Sequence, residues 1–293
     1  MDKLIIENFL SFLAFGFFII SFGNARWAIP ILEILNRWFK WILFSVGFAY
    51  IAVQLEWSYR SFELLAITAF LVWLLIETIY NWLAVNLLSK SDIPLFPRFF
   101  ENTDKDEWPN TKSFIQIREW LREQNFKAVQ HLKANVSQDL FLRSSFYENE
   151  EHNIRIQVLI LPQRIGYLKS SFVLSSFTET GKKIITDNIS IPYGGFFPEA
   201  WNVKRSPLTI SLKTLYKTHQ KRIYKEELKL WENVPLVDLN EQQQTLEKIN
   251  TEKGFINPRS EHKTKGKITQ EGCYRLWKEL WLINYLGKTM TGK

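Results

Sequence analysis

Cysteine is almost missing from this sequence, and that alone removes several classes of function. The chain has 293 residues and one cysteine, Cys273. A single cysteine cannot form a disulfide within the chain, and it cannot supply a multi-cysteine zinc, iron–sulfur or dithiol redox site. Cys273 stands at the head of an amphipathic helical pattern, which favours a structural cysteine over a nucleophile.

Residue patterns typical of catalytic and cofactor sites are missing too. The sequence contains no GxGxxG, GxxxxGK[ST] or GxSxG segment, so it has none of the known phosphate-binding glycine loops and no serine nucleophile elbow. Its four histidines are scattered without a second ligand at metal-binding spacing: His131, His152, His219 and His262. We therefore expect no cofactor, no metal and no enzymatic activity. The remaining enzymatic alternative is a site formed by residues distant in sequence.

What the sequence does contain is a long apolar part followed by a basic part. Residues 1–88 hold five basic and six acidic residues, whereas residues 89–293 hold 32 and 24. Three apolar runs lie in the first part, at about 4–22, 39–55 and 62–88. Because a helix rises about 1.5 Å per residue and the hydrocarbon core is about 30 Å thick, these runs predict three transmembrane helices. The first run has no small-x-small cleavage site, so we interpret it as a retained span.

The segment between the first two runs predicts a helix lying in the membrane plane. Large apolar residues recur at helical spacing over residues 27–38: Trp27, Ile31, Leu35 and Trp38. Pro30 favours a fresh helix start at this point. The alternative is that the segment simply extends the second span.

Basic residues in the short loops predict the orientation of the spans. The first connection carries Arg26, Arg37 and Lys40, and the second carries only Arg60. By the positive-inside rule, three spans then place the N-terminus outside and the large C-terminal domain in the cytoplasm, at a cytoplasmic or inner membrane. Two spans instead of three would reverse one end.

A carboxylate, Glu77, interrupts the third apolar run and has two interpretations. If the helix fills the bilayer from residue 62 to 88, Glu77 lies near the midplane, where charges are costly and usually functional. Asn81 on the same helix face and Gln54 on the second span are then its candidate polar partners. If the span ends near Tyr80, Glu77 reaches the inner interface instead.

The second part of the chain predicts an α+β cytoplasmic domain held near the membrane. Residues 89–110 form a proline-rich hinge, residues 111–232 the domain and residues 233–293 a C-terminal helical extension. Helices are predicted at 111–124 and 211–231, and in the extension at 239–252 and 270–286. Four strands are predicted from alternation and turn residues, as an antiparallel meander flanked by helices: 140–148, 153–162, 168–178 and 182–189.

A basic stretch at 204–229 is the surface feature that stands out. It holds two acidic residues against eight basic ones: Lys204, Arg205, Lys213, Lys217, Lys221, Arg222, Lys225 and Lys229. Anionic lipid headgroups are the first partner we expect for it, and an acidic protein is the second. Nucleic acid is the least favoured, because aromatic residues do not interleave with the basic ones.

Two classes of function follow from these observations. The first is a non-enzymatic integral membrane subunit or scaffold, which binds other membrane subunits or copies of itself and presents the basic domain to lipid or a partner. The second is a membrane effector or transporter-like protein, in which the cytoplasmic domain senses an anionic ligand and Glu77 responds.

Overall fold

The chain divides into two compact units. The computed structural model describes residues 3–27, 29–103, 108–137, 140–162 and 168–290. The helical unit consists of Met1–Leu87 with Trp277–Lys288, and the sheet unit consists of Leu88–Leu276 with Thr289–Lys293. The chain therefore passes from the helical unit to the sheet unit and then returns to the helical unit. The domain boundaries predicted from the sequence instead treat residues 233–293 as a single C-terminal extension.

Three long helices build most of the helical unit: α1 (Lys3–Trp27), α2 (Pro30–Gln54) and α3 (Phe62–Lys90). The separate interfacial helix at 27–38 is wrong, because α2 runs without a break from Pro30 into the second apolar run. Pro30 does start the helix, since a residue without an N–H fits the first turn. Residues 31–46 contain no glycine or proline, so the sequence has no helix breaker between the predicted interfacial segment and the second apolar run.

Among the described residues, two helices rather than three are long and apolar enough to cross a membrane, judged by length and composition alone. They cover Leu4–Arg26 and Phe62–Lys90. The prediction of three such helices is therefore corrected. Helix α2 is not apolar enough by this criterion, because it carries Glu33, Arg37 and Lys40 in its first half and polar side chains such as Gln54 in its second.

Helices α1 and α2 lie antiparallel along one another. At one end the Tyr50 hydroxyl donates to Glu7 Oε1 at 2.7 Å, and at the other the Ser21 hydroxyl donates to Asn36 Oδ1 at 2.9 Å. Between them, Gly16 faces the ring of Phe39 so closely that a Cβ on the glycine would lie 2.8 Å from it. The segment 36–50 of α2 is therefore level with the segment 7–21 of α1.

Within its described residues, the sheet unit contains one eight-stranded sheet rather than a four-strand meander. Its strands are β1 (Phe99–Glu101), β2 (Lys127–Ser137), β3 (Leu140–Glu148), β4 (Arg155–Pro162), β5 (Leu168–Thr178), β6 (Lys183–Asp187), β7 (Trp201–Arg205) and β8 (Leu228–Lys229). The order is β1-β2-β3-β4-β5-β6-β7, and β8 also pairs with β5. The four predicted strands are β3 to β6. All neighbours are antiparallel except β6 and β7, which are parallel.

The strands outside the predicted meander have weak sequence patterns. Strand β2 has register shifts near Ala128 and near Asn135, and these disturb the alternation that marks a strand. Strand β1 lies inside the predicted hinge, and β8 lies inside the helix predicted at 211–231. That helix, α5, ends at Ile223 (Leu212–Ile223), and the following residues pair with β5 instead.

Helices cover both faces of the sheet. On one face, α4 (Lys112–Glu123) and α5 pack on a core centred on Ile156, Val158 and Phe172. On the other face, α6 (Pro235–Glu252) packs through Leu239 on Leu132 and its neighbours. Because successive strand residues point to opposite faces, β3 and β4 feed both cores.

The C-terminal part is helical, as predicted, but it is more divided. Helix α6 is followed by the short α7 (His262–Lys265) and by α8 (Gln270–Trp281). A π-helical turn, Leu282–Leu286, continues α8 and ends at Gly287, which has a left-handed backbone conformation.

Candidate functional site

Glu77 is bound within the helical unit by a residue from the far end of the chain. The Tyr285 hydroxyl donates to Glu77 Oε1 at 2.8 Å, across 208 residues of sequence. Tyr285 lies in the π-helical turn, a conformation often found at functional positions. Arg37 on α2 interacts with the same hydroxyl. Glu77 therefore belongs to a polar contact that joins α3, the C-terminal turn and α2.

Aromatic rings surround this contact. The Trp38 indole donates to the backbone oxygen of Tyr285 at 3.1 Å, and the Trp41 indole donates to the backbone oxygen of Phe70 at 3.1 Å. The Trp41 ring stacks on Trp38 at 5.4 Å and on Phe70 at 4.6 Å. The rings of Trp281 and Tyr285 stack at 4.5 Å. We call these five residues the aromatic cluster; together they hold the C-terminal turn against α2 and α3.

The two other predicted intramembrane polar residues do not join Glu77 in the same way. Asn81 lies one helical turn after Glu77 and is buried, with 4% exposed. Its Nδ2 has no hydrogen-bond partner among the described residues. Gln54 is the exposed last residue of α2. The partner of Glu77 is instead Tyr285, which local spacing rules could not reveal because it is so distant in sequence.

Removing the Tyr285 hydroxyl should weaken the helical unit. We expect Tyr285→Phe to lower the free energy of unfolding by about 1–3 kcal/mol, because it leaves a carboxyl acceptor without its donor. The matched control is Tyr80→Phe, since Tyr80 lies on the same helix as Glu77 and its side chain is exposed. Thermal unfolding of the full chain in detergent, followed by tryptophan fluorescence, measures both. Equal melting temperatures for the two variants would show that the hydroxyl contact contributes nothing.

The basic stretch splits into residues that face solvent and residues that serve the fold. Arg205 pairs with Asp187 at 3.2 Å, and its side chain is nearly buried. Arg222 donates to backbone and side-chain oxygens of β6 and β7, among them Thr186 Oγ1 at 2.6 Å. The six lysines are exposed: Lys204, Lys213, Lys217, Lys221, Lys225 and Lys229. Lys229 pairs with Glu232 at 2.8 Å.

A buried ionic cluster under α6 was not predicted. Arg155 on β4 donates to Glu148 Oε1 through Nε at 2.8 Å and through Nη2 at 2.6 Å. Its Nη1 donates to Asp238 Oδ2 at 3.4 Å, and Lys183 Nζ lies 3.3 Å from Asp238 Oδ1. The sequence signal was a charged residue on each of the strands β3, β4 and β6, but alternation alone treats such residues as partly covered.

Aromatic rings close the ionic cluster. The Arg155 guanidinium lies 3.8 Å from the ring centre of Trp231. The Lys183 ammonium lies 4.8 Å from the ring of Phe177, 5.2 Å from Trp231 and 5.5 Å from Trp201. Loss of solvation lowers the pKa of Lys183 to about 8, and the ion pair with Asp238 opposes that shift.

The lowered pKa of Lys183 predicts a pH dependence of stability. Between about pH 8 and pH 10.5 the unfolded chain keeps a proton on Lys183 that the folded chain releases, so the free energy of unfolding should rise with pH. The slope from this group is at most about 1.4 kcal/mol per pH unit. Lys183→Met should remove this contribution, whereas Lys182→Met, at an exposed neighbour, should keep it. Unfolding measured from pH 7 to 10 tests this, and parallel curves for the wild type and Lys183→Met would contradict it.

His219 is a buried neutral histidine rather than a candidate ligand. Its Nε2 lies 3.2 Å from Ser176 Oγ and its Nδ1 lies 2.9 Å from Thr186 Oγ1. Burial lowers its pKa to about 3, and the charge of Arg222 adds to the shift. Across the described ranges, no group of three or more His, Cys, Asp or Glu side chains is arranged to hold a metal ion.

Comparison with known proteins returns no relative: no family, no curated protein and no solved structure matches this chain.

Proposed function

We propose that this chain is an integral membrane protein whose helical unit lies in the bilayer. The exposed apolar surface of α1 and α3 carries the proposal. Between 50% and 72% of each of these side chains is exposed: Phe12, Phe15, Phe18 and Phe22 on α1, and Ile67, Leu71, Leu75, Ile79 and Leu83 on α3. Surfaces of this size and composition are covered by lipid or by other proteins.

The packing of α2 supports a third span. Because α2 lies antiparallel along α1 from Asn36 to Tyr50, a bilayer that surrounds α1 also contains this part of α2. The polar residues that lower its hydropathy are partly used inside the unit, as Tyr50 is by Glu7. Three spans place the N-terminus outside and the sheet unit in the cytoplasm by the distribution of basic loop residues.

The contacts of Glu77 favour a position at the inner interface over one at the midplane. Through Tyr285, Glu77 is level with Trp38 and Trp41, and these tryptophans share α2 with Arg37 and Lys40. Tryptophan and basic side chains are typical of the interfacial belt.

The function we propose is that of a non-enzymatic subunit or scaffold of a membrane assembly. The helical unit binds neighbouring subunits or further copies of this chain, and the sheet unit presents its exposed lysines to lipid headgroups or to a partner. Purification in a mild detergent with mass analysis of co-eluting chains tests this function. A monomer that retains no partner would contradict it.

Single-cysteine labelling tests the number and direction of the spans. Cys273 is buried, so a cysteine introduced at an exposed position is labelled selectively by a membrane-impermeant maleimide. With three spans, Ala25→Cys and Lys225→Cys are protected in intact cells, and Tyr59→Cys is labelled. Labelling of Ala25→Cys and Tyr59→Cys from the same side would show that α2 does not cross.

The alternative function is a membrane effector, and the contact between Glu77 and Tyr285 favours it. The chain returns from the sheet unit through α8, and Tyr285 then donates a hydrogen bond to Glu77 on the third span, so a change in the sheet unit has a route to Glu77 through this segment. Hydrogen exchange in α3 on addition of inorganic pyrophosphate, a simple anion, tests this function. A response that Glu77→Gln abolishes and Glu63→Gln retains supports it, and an unchanged α3 in the wild type contradicts it.

A further inference from the structure

The exposed part of the basic stretch is centred on one face of α5. This helix, LKTLYKTHQKRI, contains no acidic residue. Lys213, Lys217 and Lys221 follow one another at four-residue spacing, so their side chains form a row along the helix. The opposite face packs into the core through Leu215 and His219. The row is therefore fixed in the sheet unit and points away from its interior.

Exposed apolar side chains lie at both ends of this row. Tyr224, with 84% of its surface exposed, follows Lys221 by three residues and Lys217 by seven, which puts it on the same face. Ile210, with 54% exposed, comes just before the first turn. We call Lys213, Lys217, Lys221 and Tyr224, with Ile210 beside them, the α5 lysine face.

We propose that the α5 lysine face binds the anionic phospholipid headgroups of the membrane. Lysine ammonium groups supply point charges for headgroups of any orientation, and exposed tyrosine and isoleucine side chains suit the boundary between headgroups and acyl chains. This inference rests on the proposed membrane function, which supplies the bilayer.

The composition of the face favours lipid over the other anionic partners. Single-stranded nucleic acid is bound by aromatic rings placed between basic groups, whereas here the exposed ring, Tyr224, lies at the end of the row and Tyr216 packs on the core. An acidic protein is bound specifically by forked donors, and both arginines of the stretch are already used inside the fold. What remains exposed is lysine, which binds a charged surface without demanding one geometry.

The number of lysines sets the size of the expected effect. Each basic side chain near an anionic leaflet strengthens binding about fivefold, so three lysines account for about 100-fold in the docking equilibrium. The attraction should also fall with salt, because the charges are exposed and screened within about a Debye length.

The test uses the full chain in lipid nanodiscs, with the fluorophore NBD attached to Gln220→Cys, an exposed position between the lysines. Its emission should rise at least about twofold when phosphatidylcholine discs are replaced by discs with about 30% phosphatidylserine, and the rise should be lost at high salt. The triple variant Lys213→Gln, Lys217→Gln, Lys221→Gln should abolish the rise. The control carries the same charge change at exposed lysines elsewhere in the sheet unit: Lys112→Gln, Lys127→Gln and Lys182→Gln.

Each outcome separates this inference from the proposed function. Emission that is equal in both kinds of disc overturns the inference and leaves the membrane function standing. A response to added single-stranded RNA or to polyglutamate, with none to phosphatidylserine, overturns it in favour of that partner. A chain that enters neither kind of disc contradicts the membrane function itself, and the inference falls with it.

Discussion

Arg155→Met is expected to destabilise the sheet unit by about 3–5 kcal/mol, because it leaves a buried carboxylate without its cation. Arg155 is 2% exposed and supplies two of the hydrogen bonds to Glu148, together with one to the backbone oxygen of Asn233 at 2.7 Å. Methionine retains contact with the Trp231 ring but supplies no donor. Urea unfolding of the full chain in detergent, followed by tryptophan fluorescence, measures the loss.

Arg259→Met is the matched control for this substitution. Arg259 also binds one carboxylate through Nε and Nη2, that of Glu247, but its side chain is 71% exposed. Exposed pairs contribute at most about 1 kcal/mol, so this variant should be nearly as stable as the wild type. Adding Glu148→Gln to Arg155→Met should recover part of the loss. Similar losses for Arg155→Met and Arg259→Met would show that burial does not matter here.

Gly194→Ala is expected to cost more than about 3 kcal/mol, through backbone strain and a backbone clash together. Gly194 has a φ of +66°, and a Cβ there would lie 2.8 Å from both the Cα and the N of Leu276 in α8. The loop is held in this place by Arg275, whose Nε donates to the Gly194 oxygen at 2.8 Å. A Cβ is fixed directly to the backbone, and the atoms that it would meet in Leu276 are backbone atoms, so neither group can rotate away.

Gly254→Ala separates strain from clash. Gly254 has a φ of +71°, but no heavy atom lies within 4 Å of the position its Cβ would take. Alanine should cost about 1–2 kcal/mol here, for the left-handed conformation alone. The difference between the two variants, measured by the same urea unfolding, is the contribution of the close approach between loop and helix. An equal loss at both glycines would mean that α8 moves aside freely.

Patterns within one segment predicted the local elements, while contacts between distant segments escaped prediction. The alternation over β3 to β6 marked these strands because successive strand residues point to opposite faces of the sheet. Strand β2 carries the same kind of pattern, but its register shifts near Ala128 and Asn135 disrupt it. Strand β8 has no pattern of its own and exists because Thr178 and Phe177 pair with it.

The candidate sites show the same limit. Glu77 stood out in the sequence as a carboxylate in an apolar run, but its donor, Tyr285, lies 208 residues away. Arg155 and Asp238 are 83 residues apart, and only the packing of α6 on the sheet brings them together. For the basic stretch, composition found the charge, and the structure then divided it between the inward arginines and the exposed lysines.

The return of the chain from the sheet unit to the helical unit has a consequence for biosynthesis. Residues 277–288 leave the ribosome after residues 88–276 of the sheet unit, so α1 to α3 are made before these residues and receive their last packing partner after them. Until then Trp38, Trp41 and Glu77 lack the ring and the hydroxyl that cover them. A nascent chain stalled before Trp277 would therefore leave these groups without the contacts that cover them in the finished helical unit.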